Sequence, residues 1–222
     1  MISFEHVTKR YPERGDALKD LSFSLEAGEM AFLTGHSGAG KSTLLRLIGL
    51  LERPTRGQVL VGGRNLGGLR RRQIPFHRRR IGMIFQDHCL LPDRSVFDNV
   101  ALPLAASGMR QREMGKRVRA ALDQVGLLRL ERALPQSLSS GEQQRVGIAR
   151  AVVARPPVIL ADEPTGNLDP ELSREIFQLF ERFHQVGVSL LIATHDLELV
   201  ASMPYRTLRL HQGRLVADSG NW

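Results

Sequence analysis

Four short apolar runs, at 30–34, 81–85, 158–162 and 188–194, recur along the chain, and amphipathic segments separate several of them. Continuous apolar strands alternating with helical patterns predict a mainly parallel core sheet with helices on its faces. Near the start, 2–7 and 21–26 alternate apolar and polar residues more strictly, the pattern of antiparallel strands covered on one side. Toward the end, 206–210 and 214–217 flank His211-Gln212-Gly213, a short turn signal that predicts a closing hairpin. Between Ser95 and Ala154 the strand pattern fades and three helical patterns replace it, at 96–106, 110–125 and 141–154. The expectation is a single α/β domain over 1–222, with an N-terminal antiparallel β subdomain and a helical subdomain at about 88–154.

Composition narrows this picture in two ways. With 42% hydrophobic, 24% charged and 5% aromatic residues, the 222-residue chain has the make-up of an ordinary globular domain. Its longest apolar stretches fall far short of the roughly 20 residues needed to cross a bilayer, and no secretory signal is visible. A lone cysteine, Cys89, excludes an internal disulfide and is expected to be a small buried or loop residue. The formal net charge of +8 attracts polyanions, namely nucleotide phosphates, anionic lipid head groups or nucleic acid. The densest basic stretch is Arg70-Arg71-Arg72 followed by His77-Arg78-Arg79-Arg80.

Candidate chemistry begins with Gly35-His36-Ser37-Gly38-Ala39-Gly40-Lys41-Ser42, which matches G-x-x-x-x-G-K-[ST]. It follows the apolar strand at 30–34 and precedes a helical run starting at Thr43, the context that motif requires. Glycines let backbone N–H groups turn inward around phosphates, and a helix N-terminus adds partial positive charge. Lys41 brings a full positive charge, and Ser42 offers a hydroxyl to Mg²⁺.

The apolar strand at 158–162 ends in two adjacent carboxylates, Asp162 and Glu163. Side chains alternate along a strand, so the two start in different directions at the edge where open α/β sheets bind ligands. Asp162 is the candidate for Mg²⁺, and Glu163 the candidate for orienting and polarising an attacking water. His195 follows another apolar run and so reaches the same edge.

Leu138-Ser139-Ser140-Gly141-Glu142-Gln143-Gln144-Arg145 resembles the signature motif of ABC ATPases. Ser139 and Glu142 also have the spacing of a capping box, which independently reads as a helix start. The resemblance implies the P-loop fold of an ABC nucleotide-binding domain that hydrolyses ATP with Mg²⁺. It also implies a homodimer in which Ser139, Ser140, Gly141 and Glu142 meet the nucleotide held by the opposite subunit. In the same way Tyr11 resembles the aromatic that stacks on adenine, and Gln86 the glutamine joining metal to the helical subdomain. Asp169 looks like the carboxylate linking the paired sites, and His195 like the switch histidine. Position 140 is usually glycine in this motif, and Ser140 is expected to strain a permissive φ and weaken hydrolysis.

Ala161-Asp162-Glu163-Pro164-Thr165-Gly166-Asn167-Leu168-Asp169 is similar to the ABC ATPases of lipoprotein release, macrolide export and cell division. Ile81-Gly82-Met83-Ile84-Phe85-Gln86-Asp87-His88 looks most like the cell-division branch. That likeness implies an integral membrane partner, divisome proteins and a place on the cytoplasmic face of the inner membrane at the septum. ABC ATPases linked to nucleic acid usually show two ATPase cassettes or a long coiled-coil insertion, and with neither visible no stable nucleic-acid partner is expected. An ATPase for lipoprotein release or macrolide export, or an ATP-gated divisome scaffold, stays open at this point.

Overall fold

The computed structural model describes residues 1–13, 15–166 and 168–220. Asn167, part of the acidic motif quoted above, lies outside the described residues. The chain forms two sheets. One holds β1 (Ile2–Tyr11), β2 (Gly15–Leu25), β4 (Arg56–Val61) and β5 (Arg64–Asn65), antiparallel throughout in the order β2-β1-β4-β5. The other holds β3 (Met30–Thr34), β6 (Ile81–Ile84), β7 (Val158–Asp162), β8 (Ser189–Ala193), β9 (Arg206–His211) and β10 (Arg214–Asp218), in the order β10-β9-β3-β8-β7-β6. Every pairing in it is parallel except the terminal hairpin β9–β10. The sheet is therefore the mainly parallel core expected, with one antiparallel edge.

Strand pleating divides the buried residues between two cores. On β3, Met30 and Phe32 face one core, while Ala31 and Leu33 face the other. The same alternation splits Ile159 and Ala161 from Val158 and Leu160, and Leu190 and Ile192 from Leu191 and Ala193. Strands covered on both faces carry no polar stripe, which is why they read as continuous apolar runs. The first core is closed by α3 (Val96–Ala106), α4 (Gln111–Gln124), α5 (Ser140–Val152) and α6 (Pro170–Gln185). The second is closed by α1 (Lys41–Ile48) and the antiparallel sheet.

The stripe Ser173, Ile176, Phe177, Leu179 and Phe180 is the buried face of α6. Phe177 and Phe180 are fully buried with ring centroids 5.7 Å apart. Replacing Phe180 with alanine would cost about 4 kcal/mol through lost burial and the cavity left behind. Short α2 (Ile74–Arg78) and α7 (Leu197–Ala201) complete the set. Strands β4 and β5 were not apparent from periodicity: Arg56-Gly57-Gln58 and Arg64-Asn65 carry little apolar signal, and β4 is placed by pairing with β1 and β5 by pairing with β4.

Candidate functional site

The loop at 35–40 runs from β3 into α1, and two glycines shape it. Gly35 has φ 147° and Gly40 φ 109°. A Cβ would stand 2.4 Å from the Leu210 carbonyl oxygen at the first and 2.7 Å from that of Ala17 at the second. Neither position accepts a side chain without moving backbone. Gly40 is also the N-cap of α1 and supplies no side-chain cap. The first amides of α1 are thus left for an incoming acceptor, and together with the helix dipole they form an anion seat. By contrast α5, α6 and α7 are capped by Ser139, Asp169 and Asp196.

Lys41 is 7% exposed, and its Nζ donates to the Gly35 carbonyl oxygen at 2.7 Å. The same ammonium lies 3.4 Å from Glu163 Oε1. Glu163 Oε2 takes two contacts from His195, the backbone N–H at 3.2 Å and Nδ1 at 2.8 Å. Lys41, Glu163 and His195 thus form one connected group, with Glu163 (φ 49°) held in the left-handed region just past β7. A strained φ at a residue gripped from both sides is the pattern of backbone strain retained at functional sites.

Asp162 points the other way, toward Ser42. Burial pushes its carboxyl up, opposed by the hydrogen bond with Ser42 and reinforced by the charge of Glu163. Its Oδ1 is buried and has no hydrogen-bond partner among the described residues. Asp162 does not itself line the cavity that Ser42 and Gln86 share, but its orphaned carboxylate oxygen, the Ser42 hydroxyl it pairs with and the Gln86 side chain make a set of hard oxygen donors suited to a small divalent cation. Among the described residues no group of three His, Cys, Asp or Glu side chains could hold a metal alone. Oxygens from a bound phosphate would complete the coordination.

These elements open onto one cavity of about 640 Å³. Ser37, Gly38, Ala39, Gly40, Lys41, Ser42 and Thr43 line it, with Tyr11, Gln86, Glu163 and His195. The side chain of His36 turns instead toward His211, ring centroids 5.2 Å apart, and its Nδ1 sits 2.6 Å from the Ser37 carbonyl oxygen. Tyr11 donates to Glu52 Oε2 at 2.6 Å, and Lys9 Nζ lies 5.0 Å from its ring centroid. Burial, followed by the bond to Glu52, raises the phenol. Glu52, Asp16 and Ala17 were missed from sequence, because only the β1–β2 turn and the end of α1 bring them here.

Arg150 was missed as well. Its guanidinium donates to the carbonyl oxygens of His88 and Cys89, both at 2.6 Å. These two residues have φ 57° and 49°, and Arg150 pins the turn they make just after Gln86. His88 Nδ1 lies 2.5 Å from Gln144 Oε1, a second link between the Gln86 loop and α5. Cys89 is exposed within this loop.

The remaining candidates lie elsewhere. Ser139 and Glu142 form the capping box anticipated from their spacing: Ser139 N–H donates to Glu142 Oε2 at 2.8 Å, and Glu142 N–H to Ser139 Oγ at 3.3 Å. Ser139 and Ser140 are exposed, and Gly141 packs against Leu172. Asp169 accepts from Leu172 N–H at 2.9 Å as the cap of α6. None of these lines the cavity. The expected strain at Ser140 is absent: it is the first residue of α5 and is not among the residues with positive φ. A helix start accepts serine readily, so only the added side chain remains as a departure.

The ABC transporter family model matches residues 18–166. The cell division ATP-binding protein FtsE of Escherichia coli (strain K12) is 56% identical over 221 residues, covering 100% of both chains. The protein of the same name from Mycobacterium tuberculosis is 48% identical, covering 98% of this chain and 95% of its own. Among solved structures, a dimeric bacterial ABC transporter cassette superposes with a TM-score of 0.92 at 36% identity, covering 99% of this chain and 98% of its own. A cassette in a dimeric post-hydrolysis state bound to ADP and Pi gives the same TM-score at 34% identity.

Proposed function

Because this chain belongs to the ABC transporter ATP-binding family, we propose that it is the ATPase subunit of a cell-division complex. The observation that carries this reading is the end-to-end match to cell-division ATP-binding proteins, 56% identical with no uncovered segment in either chain. In this reading the chain works as a homodimer on the cytoplasmic face of the inner membrane, at the septum. The dimer engages an integral partner of the FtsX type together with other divisome proteins. Closure of the dimer by ATP signals through that partner to septal peptidoglycan hydrolysis.

The site geometry supports a division of labour. Ser37 to Thr43 and the amides of α1 seat the phosphates, with Gly35 and Gly40 keeping the loop open and the His36 backbone contributing to its turn. Tyr11, braced by Glu52, provides the surface for the adenine. Ser42, Asp162 and Gln86 would hold Mg²⁺, which neutralises phosphate charge when bound. Lys41 exchanges its contacts with Gly35 and Glu163 for phosphate oxygens. That exchange releases Glu163 to accept a proton from the attacking water, while His195 steadies the carboxylate and faces the terminal phosphate. Ser139, Ser140, Gly141, Glu142 and Asp169 serve the opposite subunit's nucleotide, with the helical region at about 88–154 carrying the change to the partner.

Affinity purification from gently solubilised membranes tests the assignment. Recovery of an FtsX-type membrane protein supports it. Recovery of a lipoprotein-releasing or macrolide-exporting permease instead overturns the cell-division reading while leaving the ATPase intact.

A further inference from the structure

The positive charge of this chain is concentrated in one sector. Nine arginines fall between Arg53 and Arg80, and no Asp or Glu occurs between positions 53 and 86. Those nine exceed the formal net charge of +8, so the rest of the molecule is close to neutral. Among the described residues none of the nine reaches a carboxylate, although ion pairs are formed elsewhere by Arg46, Arg117, Arg119 and Arg145. Three are occupied with backbone: Arg53 with the Gly67 and Leu69 carbonyls, Arg78 with Leu50, and Arg79 with Ala106. The other six, Arg56, Arg64, Arg70, Arg71, Arg72 and Arg80, are exposed and uncommitted to any acid.

Within this sector Phe76 is 62% exposed on α2 next to the exposed Pro75, and it shares a surface depression with Arg64 and Arg80. His77 and Arg78 fix α2 to the end of α1 through the Ile48 and Leu50 carbonyls. The ring is therefore presented outward on an anchored support. Its position is remote from the nucleotide cavity. The chain leaves α2 into Ile81, which pairs with Val158 at the start of β7, whereas Asp162 and Gln86 lie past the opposite strand ends, about 15 Å away at the rise of a strand.

We propose that this sector is a docking surface for an anionic bilayer, with the free arginines binding phospholipid phosphates and Phe76 inserted at the interface. A guanidinium matches phosphate bidentately, and aromatic side chains favour the head-group level. A lipid surface suits the geometry better than nucleic acid. The Arg79 guanidinium already covers the Phe76 ring at 5.2 Å from its centroid, blocking base stacking on that face while leaving the ring free to insert. The surface acts independently of the membrane partner proposed above, so either idea survives failure of the other.

The test is co-sedimentation of the purified full chain, without partner, with vesicles of phosphatidylcholine alone or mixed with phosphatidylglycerol. Binding is expected only to the anionic vesicles and weakens with salt. Combined Arg70→Gln, Arg71→Gln and Arg72→Gln lowers the partition coefficient about 100-fold, close to five-fold per charge. Phe76→Ala lowers it several-fold and Phe76→Trp restores it. ATP turnover in these variants stays at the parental level, which verifies folding. Equal binding to both vesicle types, or an unchanged triple variant, overturns the proposal. So does competition by inorganic phosphate at equal ionic strength, which would mark an isolated anion site. Single-stranded RNA binding with the same arginine and Phe76 dependence, in the absence of vesicle binding, reassigns the surface to nucleic acid.

Discussion

The glycine-rich loop at 35–40 and the outer start of α5 both lead into glycine-containing helix beginnings, yet the fold treats them oppositely. At α1 the cap position is a glycine with φ 109°, no side chain caps the helix, and Lys41, Glu163 and His195 converge on the space beyond it. At α5 a reciprocal Ser139–Glu142 box caps the helix, and Ser139 and Ser140 are exposed. The first helix start has its candidate catalytic groups beside it in the same chain. The second has none among the described residues, so its chemistry depends on what is brought to it from outside. In the proposed dimer one chain would carry two half-sites of unequal completeness, and a second copy would join each loop to a facing α5.

Glu163→Gln breaks the complete half. It keeps the size of the side chain and removes the proton acceptor, so turnover should fall on the order of 1000-fold while nucleotide is retained. Phosphate release and equilibrium dialysis measure the two quantities. A variant that still turns over would remove Glu163 from the chemistry. The next largest effect compares the halves directly. Lys41→Ala alone and Ser139→Arg alone should each drop turnover on the order of 100-fold, through loss of the phosphate charge and through a blocked helix start respectively. Mixing the two proteins should recover activity, because one site then receives an intact loop from one chain and an intact α5 from the other. No recovery on mixing would mean that α5 does not act in trans.

Ser140→Gly sharpens the same comparison with a smaller change. Backbone strain is not involved, so only the removal of one exposed side chain remains, and turnover should rise about two-fold. An unchanged or lower rate dismisses Ser140 as a brake.

The smallest effect concerns the hairpin that supports the loop. Gly213 N–H donates to the Ala39 carbonyl at 3.1 Å, and the Leu210 carbonyl walls Gly35. Arg206 holds this hairpin through Asp218 Oδ1 and Oδ2, both at 2.7 Å, and Glu29 at 2.9 Å. The Arg206 hydrogen bond is the main reason that the Asp218 carboxyl lies below the usual range. A depressed folded-state pKa means that the contribution is present above the unfolded carboxylate value and lost as pH falls through the lower folded value. Asp218→Asn should therefore reduce stability at neutral pH, with the difference from the parent shrinking below about pH 4. Urea midpoints across pH would reveal this, and a pH-independent difference would contradict it.

Most of the architecture could be read in order along the chain, because burial on two faces writes an apolar run and burial on one writes a period. Residues 30–34 and 158–162 coincide with β3 and β7, and 96–106 with α3. The glycine-rich loop before α1, the position of the acidic pair at the end of β7 and the capping box were equally readable, since each is a local arrangement of a few consecutive residues. What spacing could not supply was every contact made across long separations. The grip of Arg150 on the His88 and Cys89 carbonyls spans about sixty positions, the bond from Tyr11 to Glu52 spans 41, and the approach of Leu210 to Gly35 joins opposite ends of the chain. It also could not reveal that Phe76 stands uncovered among arginines. Local order follows from backbone geometry and side-chain period, which are properties of neighbours in sequence. Which distant groups meet, and which are left facing solvent, depends on how the two sheets and their helices close on one another, and only the tertiary structure decides that.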